Sequence, residues 1–400
     1  MPFTHSAQHT READSRRRRL PLLGAGVALV ALAACGSSNN STGTTSSSTP
    51  SSSDFLATAQ QKVTQDYQST NKQPDSTSRP AAKGKKIVVI SAGQAGLSAS
   101  VPVNAAVEAA KAIGWTVTMY DEQLDPSKAP GLVRQAIAAG VDGIIVDAND
   151  CPLIKGPLQE AQAKGIKVVD IYSFDCNDPL FGGGGTALFS ANINFGVSDL
   201  DAFTESYGAN QADAVITATK GHARVILFND LEFTVLRYTA KGFTDELAKC
   251  ADCKVVDEVD FKAAELGPTL QQKASAALLQ HPEANAVKIP YTAATLLGIA
   301  GAIGASSNAA KLYVMGGEGF SPELDLIRAG KGVSAVNIIA SDWVGWAAVD
   351  SLNSVFNGSQ PAVSGIGWAL ADATHNLPAS GPYVPSIDFK SAYRKAWGVS

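Results

Sequence analysis

From Lys85 onward, short runs of β-branched residues alternate with Ala-rich stretches of helical period, and this alternation restricts the fold more than any other feature. Ile87-Val88-Val89-Ile90 is a continuous apolar run, as expected of a parallel strand covered on both faces. Val103, Ala106, Val107, Ala110 and Ile113 then recur at helical spacing, with Gly114 placed as a cap. The cycle repeats with strands at 116–120, 144–146 and 168–171, and with helical faces ending at Gly140 and Gly165. The second half reads the same way. Strands at 225–228, 255–259, 286–289 and 313–315 are separated by helices at about 197–219, 235–249, 268–280, 293–304 and 322–329. Strands alternating with helices imply right-handed βαβ units and parallel sheets. Two series, joined by the glycine run 182–185 and a strand at 188–193, predict an α/β chain of two doubly wound parallel-sheet domains. The crevice of such a sheet lies beyond the carboxyl ends of its strands. Two facing crevices would enclose a ligand.

The 400 residues are too many for one compact core, which agrees with two domains. A net charge of −5 without a basic stripe argues against nucleic acid, whose phosphates need clustered Lys and Arg.

The amino-terminal segment points to export. Arg16-Arg17-Arg18-Arg19 precedes the apolar run 20–32, which is too short to span a bilayer. With the small residues that follow, residues 1–34 read as a secretory signal. Leu32-Ala33-Ala34-Cys35 resembles the bacterial lipobox, which implies lipid on Cys35, membrane attachment and an extracytoplasmic location. Residues 36–53 are almost wholly Gly, Ser, Asn and Thr, so 35–83 is expected to be a disordered tether, with a short helix possible at 54–67.

Outside the cytoplasm thiols pair, and four cysteines remain besides Cys35. Cys250-Ala251-Asp252-Cys253 would suggest redox chemistry or half a zinc site in a cytosolic chain. Here it has no partner motif and no nearby His, so a loop-closing disulfide is expected. Cys151 and Cys176 each follow a strand, and those strands should be neighbours. Of the three pairings available, 151–176 with 250–253 fits the strand order best.

At this point the chain resembles the periplasmic sugar-binding proteins of the ribose-binding type. The resemblance covers about 85–356. It rests on Ala138-Ala139-Gly140-Val141-Asp142-Gly143-Ile144-Ile145-Val146 and Ala163-Lys164-Gly165-Ile166-Lys167-Val168-Val169. Arg237 with Lys241-Gly242-Phe243, and Val314-Met315-Gly316-Gly317-Glu318, also match. It implies a hinge of three crossings, an amino-terminal domain of 84–193 plus 341–362, and a carboxy-terminal domain of 194–340 plus the tail 363–400. It places ligand contacts at Gln94, Ser173, Phe174, Arg237, Phe261, Tyr291, Glu318, Asp342 and Trp343. It also implies a monomer that delivers a small solute to an ABC permease in the membrane. Arg237 offers a planar fork of donors and Glu318 an acceptor, while Phe174, Tyr291 and Trp343 offer flat faces for a ring. Trp343 and Trp346 share one helix face, so at least one belongs in the core. Tyr and Trp stand where the family has Asn, Asp or an amide, which points to a ligand less rich in hydroxyls than ribose.

An enzyme would need a catalytic constellation, and the sequence has neither G-x-S-x-G nor H-E-x-x-H. His222, His281 and His375 are isolated, so neither a metal site nor a cofactor is expected. The rival reading is a receptor that presents its ligand to a membrane sensor.

Overall fold

The computed structural model describes residues 52–400 apart from Ser198; the expected signal segment, Cys35 and the tether as far as residue 51 lie outside the described residues. Helix α1 (Ser52–Tyr67) is followed by an extended run and then by the first sheet. In that sheet β1 (Lys86–Ser91) lies between β2 (Thr116–Asp121) and β3 (Gly143–Asp147), with β4 (Lys167–Ile171) beyond β3, all parallel. Helices α2 (Leu97–Ala112) and α11 (Ser341–Phe356) cover one face, where Ile87, Val89 and Ile145 point. On the other face α3 (Ala129–Ala138) and α4 (Cys151–Ala163) cover Val88, Ile90 and Ile144. This double cover explains why these strands are apolar at successive positions.

The second sheet runs β10-β9-β8-β7-β5-β6. Its strands are β5 (Arg224–Asp230), β6 (Lys254–Phe261), β7 (Ala286–Lys288), β8 (Tyr313–Met315), β9 (Ala335–Ile338) and β10 (Ala369–Asp372), the last antiparallel to β9. Helices α5 (Leu200–Ala218), α6 (Thr234–Leu247) and α1 pack on one side. Gly208 and Gly242 are required where α5 and α6 meet, because a Cβ would collide with the carbonyls of Thr239 and Glu205. Helix α7 (Pro268–Gln280), the short α8 (Thr292–Ala294), α9 (Ala300–Ala305) and α10 (Ser321–Arg328) cover the opposite side. The expected helix 293–304 is interrupted by a π-turn at Thr295–Ile299, where Gly298 sits against Leu270 and Gln271 of α7.

Disulfides join Cys151 to Cys176 and Cys250 to Cys253, with Cα separations of 5.0 and 5.2 Å. Both expected pairs are therefore present.

Three expectations need correction. The strand expected at 188–193 is reduced to a single bridge between Ala191 and Val169. Residues 52–83 are not a disordered tether. Ala59 and Val63 of α1 are buried in the second lobe, and the N–H groups of Thr70, Lys72 and Asp75 donate to the carbonyls of Trp368, Gly365 and Val363 at 2.8, 2.8 and 3.0 Å. Arg79 is buried, and its Nε lies 3.0 Å from Asp350 Oδ1. The ordering groups come from about 150 to 300 residues downstream, where local composition cannot register them. Finally, the tail does not stay with the second lobe. β10 belongs to the second sheet, but α12 (Phe389–Trp397) returns to the first lobe and packs on α11. There Phe389 stacks on Trp343 with ring centroids 4.9 Å apart, and Trp397 stacks on Trp346 at 5.4 Å.

The chain therefore passes between lobes beyond the three expected crossings. Residues 68–85 lead from α1 to β1, and 373–388 lead from β10 to α12.

Candidate functional site

Segments that follow the strands of one lobe touch those that follow the strands of the other. Ser98, just past β1 at the start of α2, donates to Glu318 Oε2 beyond β8 at 2.6 Å. Tyr238 of α6 donates to Asp178 Oδ1, in the loop beyond β4, at 2.8 Å, and its ring centroid lies 5.0 Å from that of Phe174. The carboxyl edges of the two sheets consequently face each other, and the candidate site lies between them.

Glu318 is held by its position among glycines: Gly317 packs against the Tyr291–Thr292 backbone too closely for any Cβ. Its Oε2 also accepts from Thr292 N at 3.3 Å. Burial, opposed by the bond from Ser98, pushes its pKa up to about 7. Across the gap Asp147 ends β3, is 1% exposed and accepts from Ala92 N at 3.2 Å through Oδ2. Burial holds it well above the usual carboxylate range, and the charges of Glu122 and Glu318 add to the shift. Glu122 accepts from Asn149 Nδ2 at 2.6 Å and is likewise raised, mainly by burial, to about 7. Ala148 and Tyr172, directly after β3 and β4, adopt φ of 51° and 55°. Non-glycine residues pay for that left-handed geometry, which is concentrated at functional loops. Carboxyl groups dominate the facing edges. With pKa values raised this far they can accept from the hydroxyl or N–H groups of a solute and, when protonated, donate to its oxygens.

The expected contacts divide by position. Gln94 is half-buried beyond β1, donating through Nε2 to Ser91 Oγ at 2.9 Å and through its main-chain N to Asp121 Oδ1 at 3.1 Å. Phe174 sits at the contact between lobes, as described. Phe261 ends β6, 6.0 Å from the ring of Tyr291, whose hydroxyl donates to Asp230 Oδ2 at 2.8 Å. Arg237 lies exposed in the first turn of α6. Asp342 is half-buried at the start of α11, where Oδ1 accepts from its neighbour Trp343 N at 3.0 Å.

Two residues are taken up by structure. Ser173 is fully buried and its Oγ accepts from Asn149 N at 2.8 Å, bracing one loop on another. Trp343 is 0% exposed, stacked on Phe389, with Nε1 donating to Tyr393 Oη at 3.2 Å. The ring expected to face a ligand lies in the core, because α12 covers the helix face that carries it.

Glu318 and Asp342 share one groove of ≈ 720 Å³, which is bordered by the start of α2 and by the strap 382–390. A second depression of ≈ 800 Å³, lined by Gly301, Leu326 and Gly332, belongs to the second lobe alone. Among the described residues, the one cluster with metal-ligand spacing is Cys151, Asp175 and Cys176, whose thiols are joined in the disulfide.

Sequence reasoning passed over Ser98, Glu122, Asp147, Asp178, Thr292 and Tyr238. The signal for Asp147 was available, since it is an acid directly ending an otherwise apolar strand.

Residues 87–360 match the family model of the periplasmic binding protein domain. Among solved structures, GanP, a glucose-galactose binding protein from Geobacillus stearothermophilus, aligns with a TM-score of 0.62 at 20% identity, covering 74% of this chain and 100% of its own. An ABC transporter solute binding protein from Mycobacterium smegmatis with bound glycerol gives 0.61 at 21% identity, covering 76% and 100%. A 5-methylthioribose transporter solute binding protein from Thermotoga lettingae gives 0.60 at 18% identity, covering 81% and 100%. A search of curated proteins finds no match. These structural likenesses bear on the fold, whereas the domain match spans well over half of the chain. Two parallel-sheet lobes with facing carboxyl edges, and that match across 87–360, place the chain in the periplasmic binding protein family, with the type I fold.

Proposed function

We propose that this is an exported lipoprotein, held to the membrane through Cys35, that captures a small polar or ring-containing, sugar-like solute and passes it to an ABC importer. The observation that carries the reading is the meeting of the two carboxyl edges, with Asp147 buried and Glu318 half-buried where a solute would be enclosed. The structural neighbours include a glucose-galactose binding protein and a 5-methylthioribose transporter solute binding protein, which favours a sugar-like class. Support for the anchor comes from the Leu32-Ala33-Ala34-Cys35 tetrad; among the described residues no helix is long and apolar enough to cross a membrane.

The mechanism is binding without chemistry. Ser98–Glu318 and Tyr238–Asp178 are contacts of the closed form, and a solute touching both edges adds to them. Only such differential affinity for the closed state shifts the population toward it. Native mass spectrometry of freshly purified protein, followed by calorimetric titration of the solute found, tests capture. Arg237→Ala should weaken that binding at least tenfold and leave the melting temperature of the free protein within a degree or so, since the side chain is exposed. A large drop in melting temperature would assign the arginine to structure. Cys35→Ser should move the protein from the membrane fraction to the medium or periplasm; unchanged partitioning would remove the lipid anchor from the reading.

A further inference from the structure

The groove beside Glu318 and Asp342 has a wall that the three-crossing hinge does not supply. Its volume, ≈ 720 Å³, is within the range of sites for drug-sized molecules. Leu97 and Val101 of α2, Ile339 of the β9–α11 crossing, and Tyr383 and Pro385 of the tail strap all line it. Glu318 and Asp342 bring carboxyl groups, Ser321, Ser341, Ser386, Asp388 and Lys390 add further polar groups, and apolar surface makes up the larger part of the lining. The strap is fixed at both ends. Tyr383 packs on the Leu324 and Ile338 cluster of the second lobe, whereas Phe389 stacks on Trp343 and Lys390 pairs with Glu108 at 2.8 Å on the first. Closing the lobes therefore moves this wall together with the rest of the site.

We propose that the strap 382–390 is a wall of the ligand site and that the solute carries an apolar alkyl or aryl substituent lying along it, with its hydroxyl-bearing part at Glu318. This rests on the solute-binding reading and names the class of solute. An unsubstituted sugar is hydroxylated around its whole rim, and hydroxyls turned toward Leu97, Val101, Ile339 and Pro385 would lose water without gaining a partner. An apolar group there removes its own surface and that of the wall from water. The continuity of the groove with Glu318 makes one molecule, rather than a second ligand, its occupant.

Isothermal titration of the full chain with galactose, glucose and ribose, each against its phenyl β-glycoside, tests this. At least one phenyl glycoside should bind tenfold or more tightly than its parent sugar. Val101→Trp, which fills the groove, should bring that ratio within twofold while the parent sugar keeps its affinity. Tyr383→Ala, which trims the wall, should lower the ratio without the packing demand of the larger side chain. Parent sugars binding as well as their glycosides, or both variants weakening each pair alike, would overturn the strap assignment and leave solute capture standing. If none of the six probes binds, while native mass spectrometry finds no co-purifying solute, both readings fall.

Discussion

Lys288 is a cation in the middle of a sheet: it is 1% exposed and its strand is flanked by β5 and β8. Burial alone pushes its pKa down to about 7. Between that value and its ordinary 10.5 the unfolded chain holds a proton that the folded chain has released, so stability rises with pH across this window. Lys288→Met, close in volume and uncharged, should raise the urea midpoint most at pH 6 and progressively less at pH 8 and 10. An equal gain at every pH would mean the ammonium is not desolvated. Glu318 works in the opposite sense. Its folded pKa of about 7 exceeds the ordinary 4.5, so the folded chain retains the proton longer and stability declines as pH rises between these values. Glu318→Gln should flatten that decline, which melting curves from pH 4.5 to 7.5 would reveal; an unaltered slope would place the shift elsewhere. Gly208 and Gly242 make the complementary point, since what matters there is the absence of a side chain.

At the level of elements, the two disulfides are unequal. Cys151–Cys176 closes a loop across 25 residues and Cys250–Cys253 one across 3. On the chain-entropy account the first contributes ~3.5 kcal/mol and the second ~1.5 kcal/mol. Paired Cys→Ser variants in urea titrations should preserve that order, and a larger loss at 250–253 would contradict it. The elements that could be read in advance are those whose own residues bury them. β1 and β3 are apolar on both faces because helices cover both, and α2 shows its stripe directly. β9 and β10 went unread: Ala-Val-Asn-Ile and Ala-Leu-Ala-Asp are four-residue stretches whose pairing depends on each other's register. The helix expected at 54–67 is present as α1, but its docking was hidden by polar composition, since few of its side chains do the burying and its partners lie in α5 and β10. α12 was different. Phe389, Tyr393 and Trp397 recur every four residues, a visible stripe whose destination on Trp343 and Trp346 was not. The same limit applies to the site. Glu318 stood out among glycines, whereas Ser98 and Asp178 acquire meaning only from residues across the gap.

For the molecule as a whole, the extra crossings make lobe motion a property of the termini as well as of the hinge. Undocking α12 by Phe389→Ala with Trp397→Ala should cost several kcal/mol, since burying each ring is worth about 3–5 kcal/mol in comparable cores. In small-angle scattering the ligand-free variant should show a larger radius of gyration than the parent, and ligand should shrink it more. Identical scattering from both would mean the hinge alone sets the opening. The leading helix has a mechanical corollary. α1 rides on α5 and β10, so the segment leaving its amino end departs from the second lobe, not from the lobe that begins with β1. Any load applied to that end is borne by the second lobe, which becomes the stationary jaw. Held at that end as proposed, the second lobe is the fixed half and the first is the half that the crossings leave free to swing.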